Sequence, residues 1–282
     1  MSQQKNSRKY LKMREGNNPL VSVIIPTKNS EDTLETCLKS IRNQTYKNIE
    51  LIVVDNNSSD ATKEVAKEYV TLLLLGGSGM GSQVNFAVEK SSGEYVSYFD
   101  DDMYLGGWVI SSCVEKSLEG FDALVVPENT LHNSFWGRVR DEEKRFYEGD
   151  FDVEAARFFK REVFLDVGGF NEDLCGYRDF DLHQKVKGAG YSIGRISESL
   201  DHDVDVSYWS IMRKRFNRAS TLIDYSREHP GHLRNIVFRK SLLVGVVTLF
   251  FRKPIVALGI VFLKLGEYSA SGFGLIYSRL KT

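Results

Sequence analysis

Cysteine is scarce and scattered in this chain: Cys37, Cys113 and Cys175 are the 3 thiols in 282 residues, and no two form a CxxC pair. An odd, dispersed set excludes a disulfide framework and a thiolate zinc site, and it fits a reducing, cytosolic setting. Surplus charge is missing as well. With 37 basic and 38 acidic residues the formal net charge is −1, which gives no reason to expect nucleic acid as a partner. The opening stretch MSQQKNSRKYLKMREGNN has no apolar core of the secretory kind and is expected to be a flexible tail over 1–18. Long apolar runs are absent too. Leu242 to Phe251 and Ile255 to Leu263 are split by Arg252-Lys253-Pro254, and neither reaches the ~20 residues of a membrane-spanning helix. No internal repeat or low-complexity segment appears.

What is present is the composition of an ordinary folded protein, 42% hydrophobic and 27% charged. From Leu20 onward, β-branched runs alternate with helical periodicity. VSVIIP (Val21 to Pro26) and IELIVVD (Ile49 to Asp55) read as interior strands. Between them Leu34, Cys37, Leu38 and Ile41 recur at helical spacing, so a helix is predicted from about Glu31 to Gln44. The pattern continues with a helix over Ala61 to Tyr69, a strand TLLLL, a glycine-rich turn, a helix near Gln83 to Glu89 and a strand EYVSYF. Further strands are expected at FDALVVP, at Ala155 to Phe159 and, as the last, at YSIGRI. Helices are expected over Ser134 to Tyr147 and around Leu182, Val186 and Ala189. Such alternation favours a mostly parallel sheet covered on both faces, with ligands at the carboxyl ends of the strands. Residues 19–206 are read as this α/β domain and 207–282 as a helical C-terminal region.

At one of those strand ends stands YFDDDMYL. Alternate side chains of a strand share a face, so Asp100 and Asp102 converge while Asp101 points elsewhere. Adjacent carboxylates repel unless a cation compensates them, and Mg²⁺ or Mn²⁺ suits hard oxygen ligands. A solvated acidic loop is the alternative.

The segments VSVIIPTKN, IELIVVDNNSSDAT, GEYVSYFDDD and FFKREVFLDVGGFNEDLCGYRDFDL, in that order, resemble the motifs of the family 2 glycosyltransferases. The resemblance covers about Leu20 to Ile196. It implies a GT-A fold, a three-layer α/β/α arrangement, here with a helical C-terminal extension. It also implies a metal-dependent inverting transfer of sugar from a nucleotide-diphosphate sugar to an acceptor hydroxyl or phosphate. By resemblance, Pro26, Thr27, Asp55, Asn57, Asn85, Asp100 and Asp101 belong to the donor side, and Asp102 binds the metal with His202 near it. Asp179 holds the position of the catalytic base. The family's Glu-Asp pair has become Arg178-Asp179, which makes the acceptor side more cationic. Val84 stands before Asn85 where many members have arginine.

Each residue also has a plainer reading. Asp179 lies near a helix start, where a cap or dipole partner is equally expected. Asp181 should face another way. His202 reads equally as a surface histidine. Arg178, Arg213 and Arg215 are candidate phosphate or acceptor contacts, the latter two within a basic run that otherwise forms a solvated helix face. The apolar segments of 241–276 are either packed helices, a homodimer interface, or a peripheral membrane contact beside Arg252-Lys253, at the inner face of the cell membrane and near a glycan or lipid-linked acceptor. Two other functions compete. Gly77-Ser78-Gly79-Met80-Gly81-Ser82 superficially resembles the dinucleotide turn of a nicotinamide-dependent oxidoreductase, although Ser82 occupies the third glycine position. A non-catalytic nucleotide-sugar binder on the same fold is the other.

Overall fold

The structure is a computed structural model describing residues 18–131, 134–174, 176–232 and 240–281. Of the tail expected over 1–18, residues 1–17 lie outside the described residues, as does Cys175. β1 (Val21–Thr27) and β2 (Ile49–Asp55) are parallel neighbours, joined through α1 (Leu34–Arg42). α2 (Thr62–Tyr69), β3 (Leu72–Leu75), α3 (Met80–Lys90) and β4 (Tyr95–Tyr98) complete the first half. Then follow β5 (Met103–Leu105), α4 (Val109–Leu118), β6 (Ala123–Val125), β7 (Glu128–Thr130) and α5 (Phe135–Arg145). β8 (Ala156–Lys160), α6 (Arg161–Asp166), α7 (Arg178–Gly188), β9 (Ile193–Arg195) and β10 (Leu200–His202) close the α/β part.

Seven strands form one sheet in the order β3-β2-β1-β4-β8-β6-β9, and β8 runs antiparallel to both its neighbours. Both faces are covered, which is why the strands read as continuous apolar runs rather than alternating ones. The strand period of two still decides the layer. Val21, Val23 and Ile25 pack with α1 and α4 residues such as Leu38 and Ile110, whereas Ile24 packs on the other face with Val84, Phe164 and Leu182. A separate three-stranded sheet, β5-β10-β7, sits at the carboxyl end of β4.

YSIGRI is therefore not the last strand: β10 follows it and carries His202. Three-residue strands are too short to show a period in the sequence.

Beyond Ser207 the described residues are helical: α8 (Tyr208–Arg218), a 3₁₀ turn at Ala219–Thr221, α9 (Leu222–Glu228), α10 (Lys240–Arg252) and α11 (Pro254–Lys281). Val139, Ile211, Met212, Leu249, Ala257, Ile260 and Leu263 form a third core where α5, α8, α10 and α11 meet. The expectation of two short apolar segments is corrected here. The chain breaks at Pro254, but α11 then runs for 28 residues, long and apolar enough by length and composition to cross a membrane. Its inner face is nonetheless packed on α5 and α8.

Candidate active site

β4 ends at Tyr98, and the amide of Met103 donates to the carbonyl of Asp100 at 3.1 Å, closing a turn over the acidic triplet. A turn, not strand pleating, thus divides the carboxylates. Asp101 is turned aside and accepts from Thr33 Oγ1 at 2.8 Å, beside the start of α1; it anchors that helix rather than joining its neighbours. Asp100 and Asp102 come together with His202, their ligand atoms all within 4.8 Å of one another. β10 pairs antiparallel with β5 so that His202 lies opposite Met103, and Asp203 N donates to Asp102 O at 2.8 Å. The small sheet delivers the histidine to the acidic turn.

Counter-charges are built in. Arg157, nearly buried on β8, donates to Glu128 from Nε at 3.1 Å and from Nη2 at 2.8 Å, and lies 4.0 Å from Asp100. His202 stands 3.2 Å from Asp102 Oδ1 and 3.5 Å from Glu128. Burial pushes its imidazole down, but Asp102 and Glu128 outweigh burial and raise the pKa to about 9. Burial also raises the Asp100 carboxyl, against the pull of Arg157. Asp102 Oδ1 is buried and, although His202 Nε2 stands 3.2 Å away, accepts no hydrogen bond among the described residues. An orphaned acceptor at a cluster that favours positive charge, with two carboxylates and an imidazole as donors, fits Mn²⁺ or Mg²⁺.

Across from this cluster, α7 begins at Arg178, and its preceding residue, Tyr177, has φ +65°. A bulky residue in that region is a true outlier held by its surroundings, here by stacking on Tyr225. Asp179 is the second residue of α7, an acidic side chain in its first turn, and among the described residues it accepts no hydrogen bond from a backbone amide. Its Oδ1 lies 3.2 Å from Tyr98 Oη, whose one proton it shares with Ala156 O at 3.1 Å, and 4.0 Å from Arg178 Nε. Asp181 points elsewhere, fully buried, 2.8 Å from His229 Nε2 and 2.8 Å from Lys185 Nζ.

The adjacent ends of β1 and β2 form the other wall. Thr27 Oγ1 donates to Asp55 Oδ1 at 3.3 Å, Ser58 N donates to Asp55 Oδ2 at 2.8 Å, and Ser58 Oγ donates to Oδ1 as well. Three of the carboxylate's roughly four acceptor sites are thereby occupied, one by Thr27 of β1 and two by Ser58 of the turn that presents Asn57, exposed at φ +53°. Pro26 is a buried residue of β1, opposite Val54 of β2. Asn85 is corrected from a donor contact to a tie: its Nδ2 donates to Phe170 O and Glu172, and its Oδ1 accepts from Phe170 N. Val84 is fully buried in the core. The glycine turn also has a packing cause. A Cβ on Gly77 would lie 2.5 Å from Gln83, whose Nε2 donates to the carbonyls of Thr27 (3.0 Å) and Val54 (2.6 Å).

The basic run divides by helix face. Arg215 is corrected from a phosphate contact: its Nε and Nη2 donate to Glu267 of α11 at 3.1 and 3.0 Å. Arg213 lines a surface groove of 690 Å³ with Asp205, Trp209 and Phe273, which contains none of the clustered carboxylates. The members of the run within electrostatic reach of the site are Lys214, near Asp102, and Arg218, near Asp179 and Asp100. Glu128 and Arg157 were not singled out from the sequence, and Lys214 and Arg218 were legible only as members of a basic run suited to a diphosphate or a phospholipid head group. One signal was available for Arg157, a charge inside an otherwise apolar strand, which demands a buried partner.

Residues 22–171 match the family model described as Glycosyl transferase family 2. The chain is 34% identical over 176 residues to the GalNAc(5)-diNAcBac-PP-undecaprenol beta-1,3-glucosyltransferase of Campylobacter jejuni, covering 56% of this chain and 57% of that protein, a little over half its length. It is 38% identical over 281 residues to an uncharacterized glycosyltransferase of Rickettsia prowazekii, covering 90% of this chain and 82% of the relative. Among solved structures it resembles the Pyrobaculum calidifontis mannosyltransferase in complex with GDP-Man and Mn²⁺, at TM-score 0.64 and 19% identity, over 94% of this chain and 87% of that one. With its three-layer fold and a family match spanning over half its length, the chain belongs to glycosyl transferase family 2 and has the GT-A fold.

Proposed function

We propose that the protein is a metal-dependent inverting glycosyltransferase that moves a sugar from a nucleotide-diphosphate donor to an acceptor hydroxyl or phosphate. The observation that carries this reading is the convergence of Asp100, Asp102 and His202 at the carboxyl end of β4, with Asp179 facing them across Tyr98. Asp102 and His202 would hold Mn²⁺ or Mg²⁺, which when bound supplies Lewis-acid stabilisation of the departing diphosphate. Pro26, Thr27, Asp55 and Asn57 receive the nucleotide, Asp55 through its remaining acceptor site. Asp100 faces the sugar and ribose. Asp179 takes the proton of the acceptor hydroxyl, whose oxygen attacks the anomeric carbon in line and inverts it. Tyr98 holds the carboxylate in position. Arg178, in place of a carboxylate, makes that end of the cleft cationic.

The Mn²⁺- and donor-bound neighbour and the undecaprenol-linked substrate in the Campylobacter relative's name support this reading and a lipid-linked or glycan acceptor. So does the outer face of α10 and α11, where Leu243, Phe250, Phe251, Ile255 and Leu280 are exposed beside Lys240 and Arg252. The protein lies peripherally on a membrane through this face, on the cytoplasmic side, with α11 held to α5 and α8 rather than inserted across the bilayer. Leu249, grouped with the two phenylalanines in the sequence, belongs instead to the third core.

A thermal-shift panel of UDP-, GDP- and dTDP-sugars with and without Mn²⁺ tests the reading, with NAD as control. One donor class should stabilise the protein only when Mn²⁺ is present. Stabilisation by NAD alone, indifferent to metal, would support the oxidoreductase instead, and metal-dependent donor binding without transfer to any acceptor would support the non-catalytic binder.

A further inference from the structure

The four cations of α8 are placed differently, and one of them stands beside the proposed base. Arg215 is locked by Glu267. Arg218, three positions on, lays its stem across Gly176, where an added Cβ would meet Arg218 Cγ at 2.8 Å, Cβ at 2.9 Å and Cδ at 3.2 Å. Gly176 stands just ahead of Arg178 and Asp179, so this close packing brings the Arg218 head to the start of α7. Among the described residues its guanidinium makes no hydrogen bond or ion pair. Arg178 is also at this place, 4.0 Å from Asp179 and with its Cδ 3.9 Å from the Cβ position of Gly81.

We propose that Arg218, together with Arg178, forms a subsite for a phosphate or pyrophosphate carried by the acceptor. The inference rests on the glycosyltransferase reading and narrows its acceptor class. The single carboxylate of Asp179 beside them offsets two guanidiniums only in part, and phosphate, which matches their planar donor geometry, supplies further negative charge. Burial, then Arg215 and Arg178, disfavour the charge on Arg218, and Asp179 and Asp100 only oppose this in part. The acceptor rather than the donor is the occupant because of position. Lys214, one helical turn earlier on the same face, is the cation near Asp102 and the donor diphosphate, whereas Arg218 lies near the base that must meet the acceptor hydroxyl. The phosphate is therefore close to the hydroxyl that is glycosylated.

The test measures binding with EDTA present, so that no metal contributes. The probes are glucose 1-phosphate by calorimetry and phosphatidylcholine vesicles carrying farnesyl phosphate by co-sedimentation, each against phosphate-free controls. Wild type binds a phosphate probe; Arg218→Met, which keeps the stem over Gly176, weakens it about tenfold or more, the size expected for one charge-assisted pair. Arg218→Lys restores most of the loss, and Arg213→Met, altered in the separate groove, leaves binding unchanged. Binding of the vesicles but not the sugar phosphate assigns a lipid-borne phosphate, and the reverse assigns a soluble one. No phosphate-dependent binding by wild type, equal binding by wild type and Arg218→Met, or an equal loss in Arg213→Met overturns the subsite. Mn²⁺-dependent donor binding is measured on the same preparations. If it persists while phosphate binding fails, only the subsite falls; if it is absent throughout, the glycosyltransferase reading falls with it.

Discussion

At the scale of single residues, the site depends on which carboxylates converge and which are tied down elsewhere. Asp101 has Thr33, Asp55 has Ser58 and Thr27, and Asp181 has Lys185 and His229. Asp102 Oδ1 accepts no hydrogen bond among the described residues, with His202 3.2 Å away, and Asp179 lies 3.2 Å from the Tyr98 hydroxyl. Asp179→Asn should lower turnover by about 10²- to 10⁴-fold, the contribution of a general base, with donor affinity within about twofold of wild type. Steady-state kinetics beside a donor titration check it, and near-normal turnover would rule Asp179 out as the base. Arg157 is a different case. Arg157→Met leaves half-buried Glu128 without the two donors that meet at its Oε1, and the expected loss is about 1–3 kcal/mol of stability, read by denaturant unfolding. The acidic triplet and Asp179 were legible because they sit in quoted motifs. Arg157 and Glu128 were not, since their pairing joins residues distant in sequence, on strands that share no pattern.

At the scale of elements, legibility followed length. β1 and β2, seven residues each and β-branched, announce themselves; β5, β7 and β10, three residues each, do not, although they deliver Asp102, Glu128 and His202. The basic run of α8 was visible, but the face that each cation takes depends on what packs against the helix, and α11 decides it. Glu267 of α11 accepts from Arg140 of α5 at 3.1 Å and from Arg215 of α8, and its other oxygen accepts from Lys264 at 2.6 Å. Burial alone would raise its carboxyl, but Arg215, Lys264 and Arg140 hold it well below the ordinary 4.5. A depressed folded-state pKa gives stability that is full above the unfolded value and is lost as pH falls through the folded one. The docking of α11 should therefore weaken below about pH 4.5. Glu267→Gln should cost about 3–5 kcal/mol at neutral pH and flatten that acid dependence, as followed by thermal unfolding from pH 3 to 7.

At the scale of the whole molecule, one end of the sheet carries the charged cleft, and the C-terminal helices offer an exposed apolar face. The apolar segments were legible as such, but their division into an inner face, with Leu249 and Ile260, and an outer one, with Phe250 and Phe251, required the packed helices. Phe250→Ser with Phe251→Ser should abolish co-sedimentation with anionic vesicles while leaving the melting temperature and donor binding unchanged; undiminished vesicle binding would remove this face from the proposal. The central claim, a divalent ion held at Asp102 and His202 for a nucleotide-sugar donor, is tested most directly by calorimetric titration of the stabilising donor in Mn²⁺ and in EDTA, for wild type and Asp102→Asn. Binding by wild type in Mn²⁺ alone, lost in Asp102→Asn, is the predicted result; equal affinity in EDTA, or equal affinity of the two proteins in Mn²⁺, would contradict it.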